Sequence, residues 1–294
     1  MSESTFTQDS LLGWEVWLNE VSFNVAMAFF VFELLRLLVL KKLKWNLIGD
    51  SITNFITLTA FIGISFVVAV AFYITVFYWA YEFSVVQLPM NMTTLLVCIV
   101  LADFTYYWEH RFMHRVGFGW ATHTVHHSSP YFNISVAYRF GPLDGIIPIL
   151  FHLPLALIGF DPVMIFVAEI IVQIYQTLLH TEVIKKLPRP IEAVFNTPSH
   201  HRVHHGANPQ YIDKNYAGIF IIWDRMFGTF EEEDEPVRYG LTKSLDSINP
   251  FVVFFHGLTN LGRNVLGAKD FKTALAYVFR PPGWEPDGDV RDEQ

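Results

Sequence analysis

The chain has 294 residues, of which 52% are hydrophobic and only 16% are charged, and its mean hydropathy is +0.32. Typical soluble proteins carry about 25% charged residues, so this composition argues against a soluble protein and indicates a membrane protein. The net charge of −8 argues against a nucleic-acid partner, which would require a basic face. The single cysteine, Cys98, excludes an internal disulfide and a cysteine-built metal site within one chain.

Apolar stretches in the first part of the chain predict membrane-spanning helices, because about 20 apolar residues are needed to cross a bilayer. We expect spans at residues 21–40, 52–80 and 86–108. Glu33 and Arg36, within the first of these stretches, are close enough in a helix to pair.

Two further apolar stretches, residues 142–160 and 162–180, are expected to form a helical hairpin that turns at Asp161–Pro162. The first stretch is short and contains Asp144, so it either spans the membrane or re-enters it. Beyond the hairpin the charge density is that of a soluble lobe. Residues 250–267 are apolar but short, and we expect them to lie on the membrane interface. The tail that follows is acidic and rich in proline and glycine.

Basic residues predict the orientation of these spans, because lysine and arginine are enriched on the cytoplasmic side. One basic cluster follows the first span and a second follows the hairpin: Lys41, Lys42 and Lys44, and Lys185, Lys186 and Arg189. Residues 1–20 contain no basic residue, which argues against a cleavable signal peptide and for an N-terminus outside the cytoplasm. We therefore predict a multi-pass protein of a bacterial inner membrane or the endoplasmic reticulum, with every histidine motif facing the cytoplasm.

Three histidine boxes are the most specific feature of the sequence. They are HxxxH at residues 110–114, HxxHH at 123–127 and HxxHH at 201–205. Residues three or four apart share a helix face, so each box aims at least two imidazoles in one direction. Neutral imidazole is the commonest metal ligand in proteins. With the additional histidine at the end of the hairpin, the candidate ligands are His110, His114, His123, His126, His127, His180, His201, His204 and His205.

Eight or nine histidines imply two metal ions, because one tetrahedral zinc takes at most four ligands. Imidazole-rich sites suit zinc, copper, iron or nickel, so the spacing alone does not choose the metal. Polar neighbours are candidates to orient the ligands or to offset the charge of the ions. These candidates are Asp103, Glu109, Glu182, Asp213, Asp224, Asn196 and His200. Asn196 either contacts the site through water or caps the helix that carries the third box. No residue is predicted to act as a general acid or base.

The predicted fold is all-α, a polytopic membrane helical bundle of four or five spans with a cytoplasmic helical lobe that holds the histidine-rich dinuclear site. This site is expected just beyond the ends of apolar helices, where a lipid-soluble substrate could present a C–H bond. A di-iron site could use O2 to abstract hydrogen from such a carbon. Return of oxygen would give an alcohol, and loss of a second hydrogen would give an alkene.

The three boxes, in this order after membrane spans, resemble the fatty acid hydroxylase/sterol desaturase superfamily of membrane di-iron oxygenases. The resemblance covers about residues 95–235, and within the superfamily it is closest to bacterial relatives of the alkylglycerol monooxygenase group. The segments that carry it are DFTYYWEHR from Asp103, HTVHHSS from His123, QTLLHTE from Gln176 and NTPSHHRVHHG from Asn196.

The resemblance implies two iron ions, O2 as co-substrate, a lipid substrate, and the eight boxed histidines with His180 as ligands. It also implies a separate electron donor, either a pterin or a reductase partner. The chain then divides into N-terminal membrane spans (1–94), a catalytic domain (95–235), and an interfacial segment with an acidic tail (236–294). Arg115 stands where animal alkylglycerol monooxygenases carry glutamate, which leaves the substrate and the donor open.

We therefore predict a lipid monooxygenase that hydroxylates an alkyl, acyl or ether-lipid chain. A sterol or fatty-acyl desaturase using the same site is the first alternative, because both reactions begin with the same hydrogen abstraction. A non-catalytic zinc-binding membrane protein is the alternative from another class.

Overall fold

The computed structural model describes residues 5–68 and 72–286, and within these ranges the chain is helical and contains no β-strand. The all-α prediction is therefore confirmed. Residues 69–71 of the second predicted span and residues 287–294 of the acidic tail lie outside the described residues. The helices are α1 (Gln8–Val39), α2 (Trp45–Val68), α3 (Ile74–Glu82), α4 (Met92–Arg115), α5 (Gly117–His127), α6 (Ile147–Leu157), α7 (Pro162–Thr177), α8 (Arg189–Val194), α9 (Pro198–His204), α10 (Ile222–Phe227), α11 (Pro250–Leu266) and α12 (Phe271–Phe279), with a 3-10 helix at Ile134–Tyr138 between α5 and α6.

Two helices of the described chain, α1 and α2, are long and apolar enough to cross a membrane. Their outward positions carry large apolar side chains such as Leu35 and Phe66, which are 55% and 69% exposed. A bilayer is a natural environment for such surfaces. The hairpin helices α6 and α7 have only 11 and 16 residues, fewer than the ~20 that a full span needs. Four or five spans therefore remains a prediction.

Local capping determines where the helices begin. Asn91 accepts a hydrogen bond from the backbone N–H of Thr94, so α4 begins at Met92 rather than at residue 86. The predicted turn at Asp161–Pro162 is present: Asp161 accepts a hydrogen bond from the Val163 N–H, and proline occupies the first position of α7. Both are ordinary N-terminal arrangements, since a capping side chain satisfies a backbone donor that the first turn leaves free.

The start of α1, the loop before α4 and the tip of the α6–α7 hairpin meet at one end of the bundle. The backbone N–H of Phe6 donates to Met90 O at 2.6 Å, and that of Leu88 donates to Gly159 O at 2.9 Å. The Gln8 amide also donates to Asp161 at 2.8 Å. Helix α4 runs away from this end, and its final turns carry the first histidine box. The histidine boxes therefore lie at the opposite end.

Apolar side chains from α3, α4, α6 and α7 form the core between these two ends. Phe77, Cys98, Ala102, Met164 and Val167 are all fully buried in one contiguous cluster. The same helix, α4, contributes to this core with its first turns and to the histidine boxes with its last turns. The packing of the bundle thus determines where the first box lies.

The buried side chain of Glu33 on α1 stabilises the histidine end of the bundle. Glu33 accepts hydrogen bonds from the Ile134 N–H at 3.0 Å and from the Thr181 hydroxyl at 2.6 Å. These contacts replace the expected pairing of Glu33 with Arg36, because the Glu33 carboxylate turns inward toward free backbone and hydroxyl donors. The 3-10 helix and the segment after α7 are thereby attached to α1.

Candidate metal centre

The structure brings the nine predicted histidines together as two buried clusters. Within each cluster, one candidate ligand nitrogen per residue lies within 4.8 Å of all the others. The first cluster contains His110, His114, His123, His127 and His204, and the second contains His126, His180, His201 and His205.

Each HxxHH box contributes to both clusters. His123 and His127 point to the first cluster, whereas the intervening His126 points to the second. In a helix, residues i+3 and i+4 diverge by about 100° around the axis, so adjacent histidines in one box face different ways. The third box follows the same rule with the clusters exchanged, since His201 and His205 point to the second cluster and His204 points to the first. The spacing therefore fits two adjacent sites better than one.

Backbone carbonyls fix the tautomer of four of these histidines. The Nδ1 atoms of His110, His126, His180 and His204 lie 2.8, 3.2, 2.9 and 3.0 Å from carbonyl oxygens. A carbonyl only accepts, so each Nδ1 carries the proton. A neutral imidazole has one N–H, and each Nε2 therefore presents a bare lone pair to the cluster.

These lone pairs test whether the site fits a metal ion. The Nε2 atoms of His126 and His180 face each other at 3.2 Å, although both Nδ1 protons are held elsewhere. Two acceptors at this distance repel unless a cation lies between or beside them. The buried Nε2 atoms of His114, His127, His204 and His205 also have no hydrogen-bond partner among the described residues. Both clusters therefore fit metal ions.

Burial keeps the clusters in the protonation state that binds metal. It lowers the pKa of His126 to about 4, and it holds the pKa of the other eight histidines well below the usual value, aided by neighbouring imidazoles. Desolvation disfavours the charged form of a histidine. The imidazoles are thus neutral near pH 7 and ready to coordinate.

Asp213 is a polar candidate whose carboxylate directly approaches a cluster histidine. Its Oδ1 is 3.8 Å from His114 Nδ1, and its Oδ2 pairs with the Arg115 guanidinium. Asp213 adopts a left-handed backbone conformation, φ 61°, which is uncommon for residues other than glycine. A carboxylate beside the outer nitrogen of a ligand histidine is a common way to orient that ring.

Tyr216, which no sequence motif singles out, borders the first cluster. Its ring centroid is 5.2 Å from that of His114 and 5.9 Å from that of His110. The hydroxyl is buried, and burial together with nearby Asp213 raises its pKa above the usual value. The one sequence signal for Tyr216 was its position three residues after Asp213. Its closeness to the histidine boxes arises only from the folding of the chain.

Asp224 and Asp103 support the segment that follows Tyr216 rather than a histidine ring. Asp224 accepts hydrogen bonds from the N–H groups of Tyr216 and Ala217, each at 2.8 Å, and burial raises its pKa to about 6. Asp103 accepts from the Trp223 indole at 2.8 Å and from two backbone N–H groups of the same segment. Since the Tyr216 carbonyl accepts the Nδ1 proton of His110, both carboxylates act on that ligand through the backbone.

The structure places Glu109 and His200 away from both clusters. Glu109 lies 3.1 Å from His152 Nε2, and His200 Nε2 lies 2.9 Å from Glu192. His200 is buried immediately before a cluster histidine but points to the other side of α9. Its carboxylate partner explains why a histidine is tolerated there without a metal.

Asn196 and Glu182 also make contacts elsewhere. Asn196 donates to Ala217 O at 2.6 Å and so joins the same segment that the two aspartates hold. It does not cap α9, which begins after Thr197 without a side-chain cap. The exposed Glu182 accepts a hydrogen bond from the Tyr239 hydroxyl at 3.2 Å.

Arg139 is a second residue that the sequence did not reveal. Its side chain is fully buried and donates to Asp50 at 2.9 Å and to Asn54 at 2.7 Å, both on α2. Its carbonyl accepts the Nδ1 proton of His126. The two α2 residues lie 89 and 85 positions earlier in the chain, so no local pattern connects them.

Together the described residues define an all-helical protein with membrane-length helices and two buried histidine clusters that fit metal ions. Residues 95–229 match the fatty acid hydroxylase family. All three histidine boxes lie within the matched residues, and the match confirms the resemblance seen in the sequence.

Several characterised proteins are similar to this chain. Alkylglycerol monooxygenase of Homo sapiens is 45% identical over 185 residues, which cover 63% of this chain and 41% of that protein. The Danio rerio alkylglycerol monooxygenase is 42% identical over 217 residues, 72% of this chain and 48% of that protein. Ornithine lipid hydroxylase OlsE of Rhizobium tropici is 32% identical over 152 residues, 51% and 45% of the two chains. The matches thus cover less than half the length of these curated relatives. No solved structure matches this chain.

Proposed function

We propose that this protein is an O2-dependent di-iron monooxygenase that hydroxylates the hydrocarbon chain of a membrane lipid. The observation that carries the proposal is the pair of buried clusters of neutral imidazoles at one end of an apolar helical bundle. The names of the similar proteins, two monooxygenases and a lipid hydroxylase, support the same class of reaction.

The nine histidines would hold two iron ions, five imidazoles around one and four around the other. With O2 and two electrons from an external donor, iron in such a site supplies the oxidising power to hydroxylate an unactivated C–H bond. The second oxygen atom leaves as water after taking up two protons. A pterin or a separate reductase would be the donor.

The protein's own residues prepare this chemistry by orientation and by exclusion of water. Backbone carbonyls hold four imidazole rings in the tautomer that presents Nε2. The carboxylates of Asp103 and Asp224 hold the segment whose carbonyl orients His110. Such outer contacts position ligands and raise their basicity. None of these groups needs to exchange a proton with the substrate.

We also propose that the bundle crosses the membrane several times and that the clusters face the cytoplasm. The start of α1, the loop before α4 and the hairpin tip share one end, and the histidines lie at the other. The basic clusters that begin at Lys41 and Lys185 support a cytoplasmic histidine end. The catalytic domain would then extend over residues 95–235.

Isotope labelling tests the proposed reaction. Cells that express the chain under 18O2 are compared with cells that express the His126→Ala variant, and total lipids are analysed by mass spectrometry. A lipid that gains one 18O atom only with the unaltered chain supports the monooxygenase. A lipid that loses two hydrogens without label would instead identify a desaturase. Purified protein that contains zinc, lacks iron and leaves lipids unchanged would identify a metal-binding protein without this activity.

A further inference from the structure

A cleft lies beside α5, on a face of that helix different from the one that carries the histidines. Its volume is about 390 Å³, within the range of small-molecule sites. Trp120 and Thr124 of α5 form one wall, and His256 and Asn260 of α11 form another. Residues from the segments 241–245 and 281–285 complete its lining. We call this site the α11 cleft.

The α11 cleft is lined by two basic residues and one acidic residue, so its net charge is positive. Lys243 and Arg263 both line it, and neither forms an ion pair within residues 5–68 and 72–286. Among the described residues, Arg263 donates one hydrogen bond, which is long at 3.4 Å, to Asn260. The acidic residue in the lining, Glu285, accepts a hydrogen bond from the Tyr277 hydroxyl. Two cations and one carboxylate leave a net charge of +1 beside neutral amide and hydroxyl groups, which favours an anionic ligand.

The helices around the cleft have the character of a membrane-surface element. Phe251, Leu266, Phe271 and Phe279 of α11 and α12 are 77%, 89%, 78% and 65% exposed. Residues 250–280 carry four basic residues and one acidic residue, a net charge of +3 in a chain whose net charge is −8. Exposed apolar side chains with adjacent lysine and arginine bind the interface of anionic bilayers.

The cleft is closely connected to the helix that carries the second histidine box. Gly257 of α11 packs so tightly on α5 that a Cβ atom there would lie 2.2 Å from the Ala121 carbonyl oxygen. His256 and Thr124 also approach each other, with 3.4 Å between Nε2 and Oγ1. A ligand in the cleft would therefore contact α5 and α11 together.

We propose that the α11 cleft binds the phosphate headgroup of an anionic phospholipid, with Lys243 and Arg263 as the charged contacts. The acyl chains of this lipid would lie along the exposed apolar side chains of α11 and α12. This binding does not depend on the proposed oxygenase reaction, since neither basic residue belongs to the histidine clusters.

Native mass spectrometry of the purified full chain in detergent tests the proposal without requiring turnover. The probes are phosphatidylglycerol and phosphatidylcholine with identical acyl chains. One phosphatidylglycerol is expected to bind at lower concentration than phosphatidylcholine. Each lysine or arginine near an anionic headgroup contributes about fivefold in affinity, so the Lys243→Gln/Arg263→Gln variant should bind phosphatidylglycerol about 25-fold more weakly. Equal binding of the two lipids would overturn the proposal.

A matched control separates the cleft from general surface charge. The Lys269→Gln/Lys272→Gln variant loses the same charge on the same surface, but neither lysine lines the cleft. It should keep nearly full affinity, and an equal loss in both variants would contradict a discrete site. If the double cleft variant fails to fold, Lys243→Gln alone, on an exposed loop, should still weaken binding about fivefold.

A competition experiment distinguishes a lipid from a free phosphate ester. Glycerol 3-phosphate carries the anionic group of the lipid without its acyl chains. It should not displace phosphatidylglycerol at equal concentration, because the apolar contacts on α11 and α12 would be missing. Displacement as efficient as that by the lipid would show that the cleft binds soluble phosphate esters and would overturn the assignment to a membrane lipid.

Discussion

At the residue scale, the difference between three and four residues of helix divides each HxxHH box between the two histidine clusters. His123 and His127 lie one turn apart and serve one cluster, whereas His126 faces the other. Identical side chains in adjacent positions therefore have different expected roles. His200 extends this contrast, because it adjoins a cluster histidine and yet contacts Glu192.

Histidine substitutions should remove iron unequally from the two clusters. His204→Ala leaves four imidazoles in the first cluster, while His126→Ala leaves three in the second. We expect both variants to lose activity and His126→Ala to lose about one of two iron ions, since three imidazoles hold a metal less completely than four. Iron per chain is measured by inductively coupled plasma mass spectrometry. His200→Gln is the matched control and should keep its iron. Normal turnover by His126→Ala would exclude this assignment.

Replacement of Asp213 by asparagine tests whether its carboxylate orients His114. Outer-contact substitutions typically reduce metal affinity or activity by 10–100-fold, and we expect a loss of about tenfold in iron affinity. Asparagine tolerates the left-handed backbone at this position, so the substitution changes the charge with little backbone strain. Asp246→Asn is the control, because Asp246 also has a positive φ, 48°, but is exposed and approaches no cluster histidine among the described residues. Equal iron affinity of the two variants would argue against a role for Asp213.

The candidate ligands could be predicted from sequence because their spacing is local, but their neighbours could not. Helical periodicity connects residues three or four positions apart, and that is enough to collect each box. Arg139 and Tyr216 reach the histidines through carbonyl contacts and ring packing that depend on distant segments. Asp103 lies on the helix that carries the first box, yet its hydrogen bonds go to residues 116–120 positions later.

At the element scale, the helices follow their caps as much as their apolar patterns. The apolar pattern continues from residue 86 into α4, but Asn91 and the preceding Pro89 delay the helix to Met92. The turn at Asp161–Pro162 was predicted correctly, because both the capping aspartate and the proline are adjacent in sequence. Capping signals therefore locate the ends that hydropathy alone places several residues away.

The close packing of α11 on α5 predicts opposite effects for two glycines on α11. Gly257→Ala would place Cβ 2.2 Å from the Ala121 carbonyl oxygen, whereas at Gly262 no atom lies within 4 Å of an added Cβ. We expect Gly257→Ala to destabilise the protein by about 1–3 kcal/mol through overpacking. Gly262→Ala should be neutral or stabilising by up to about 1 kcal/mol, because alanine favours helix. Thermal unfolding in detergent distinguishes them, and equal melting temperatures would mean that α11 does not pack as described.

At the scale of the whole molecule, composition predicted the helical membrane class, but hydropathy did not determine the number of spans. Helices α6 and α7 are each shorter than a helix that spans a bilayer. The tip of their hairpin is nevertheless hydrogen-bonded to the loop before α4. If that loop lies outside the membrane, the hairpin tip lies there too. Two features therefore need separate tests: the side of the membrane that the histidine end faces, and whether the α6–α7 hairpin crosses the bilayer. One labelling experiment can determine both.

Single cysteines at three exposed positions should reveal both the orientation of the histidine end and whether the hairpin crosses the bilayer. We expect a membrane-impermeant maleimide to label Gln87→Cys and Ile158→Cys on intact cells, since the hydrogen bond from Leu88 to Gly159 holds both sites at one end. Lys185→Cys should react only after permeabilisation, because it follows the hairpin at the histidine end. The native Cys98 is fully buried and provides an unlabelled background.

Labelling of Lys185→Cys on intact cells would show that the histidine end has the opposite orientation to the one proposed. Protection of Ile158→Cys alone would show that the hairpin re-enters the bilayer instead of crossing it, which would separate the tip from the loop that it contacts in the structure.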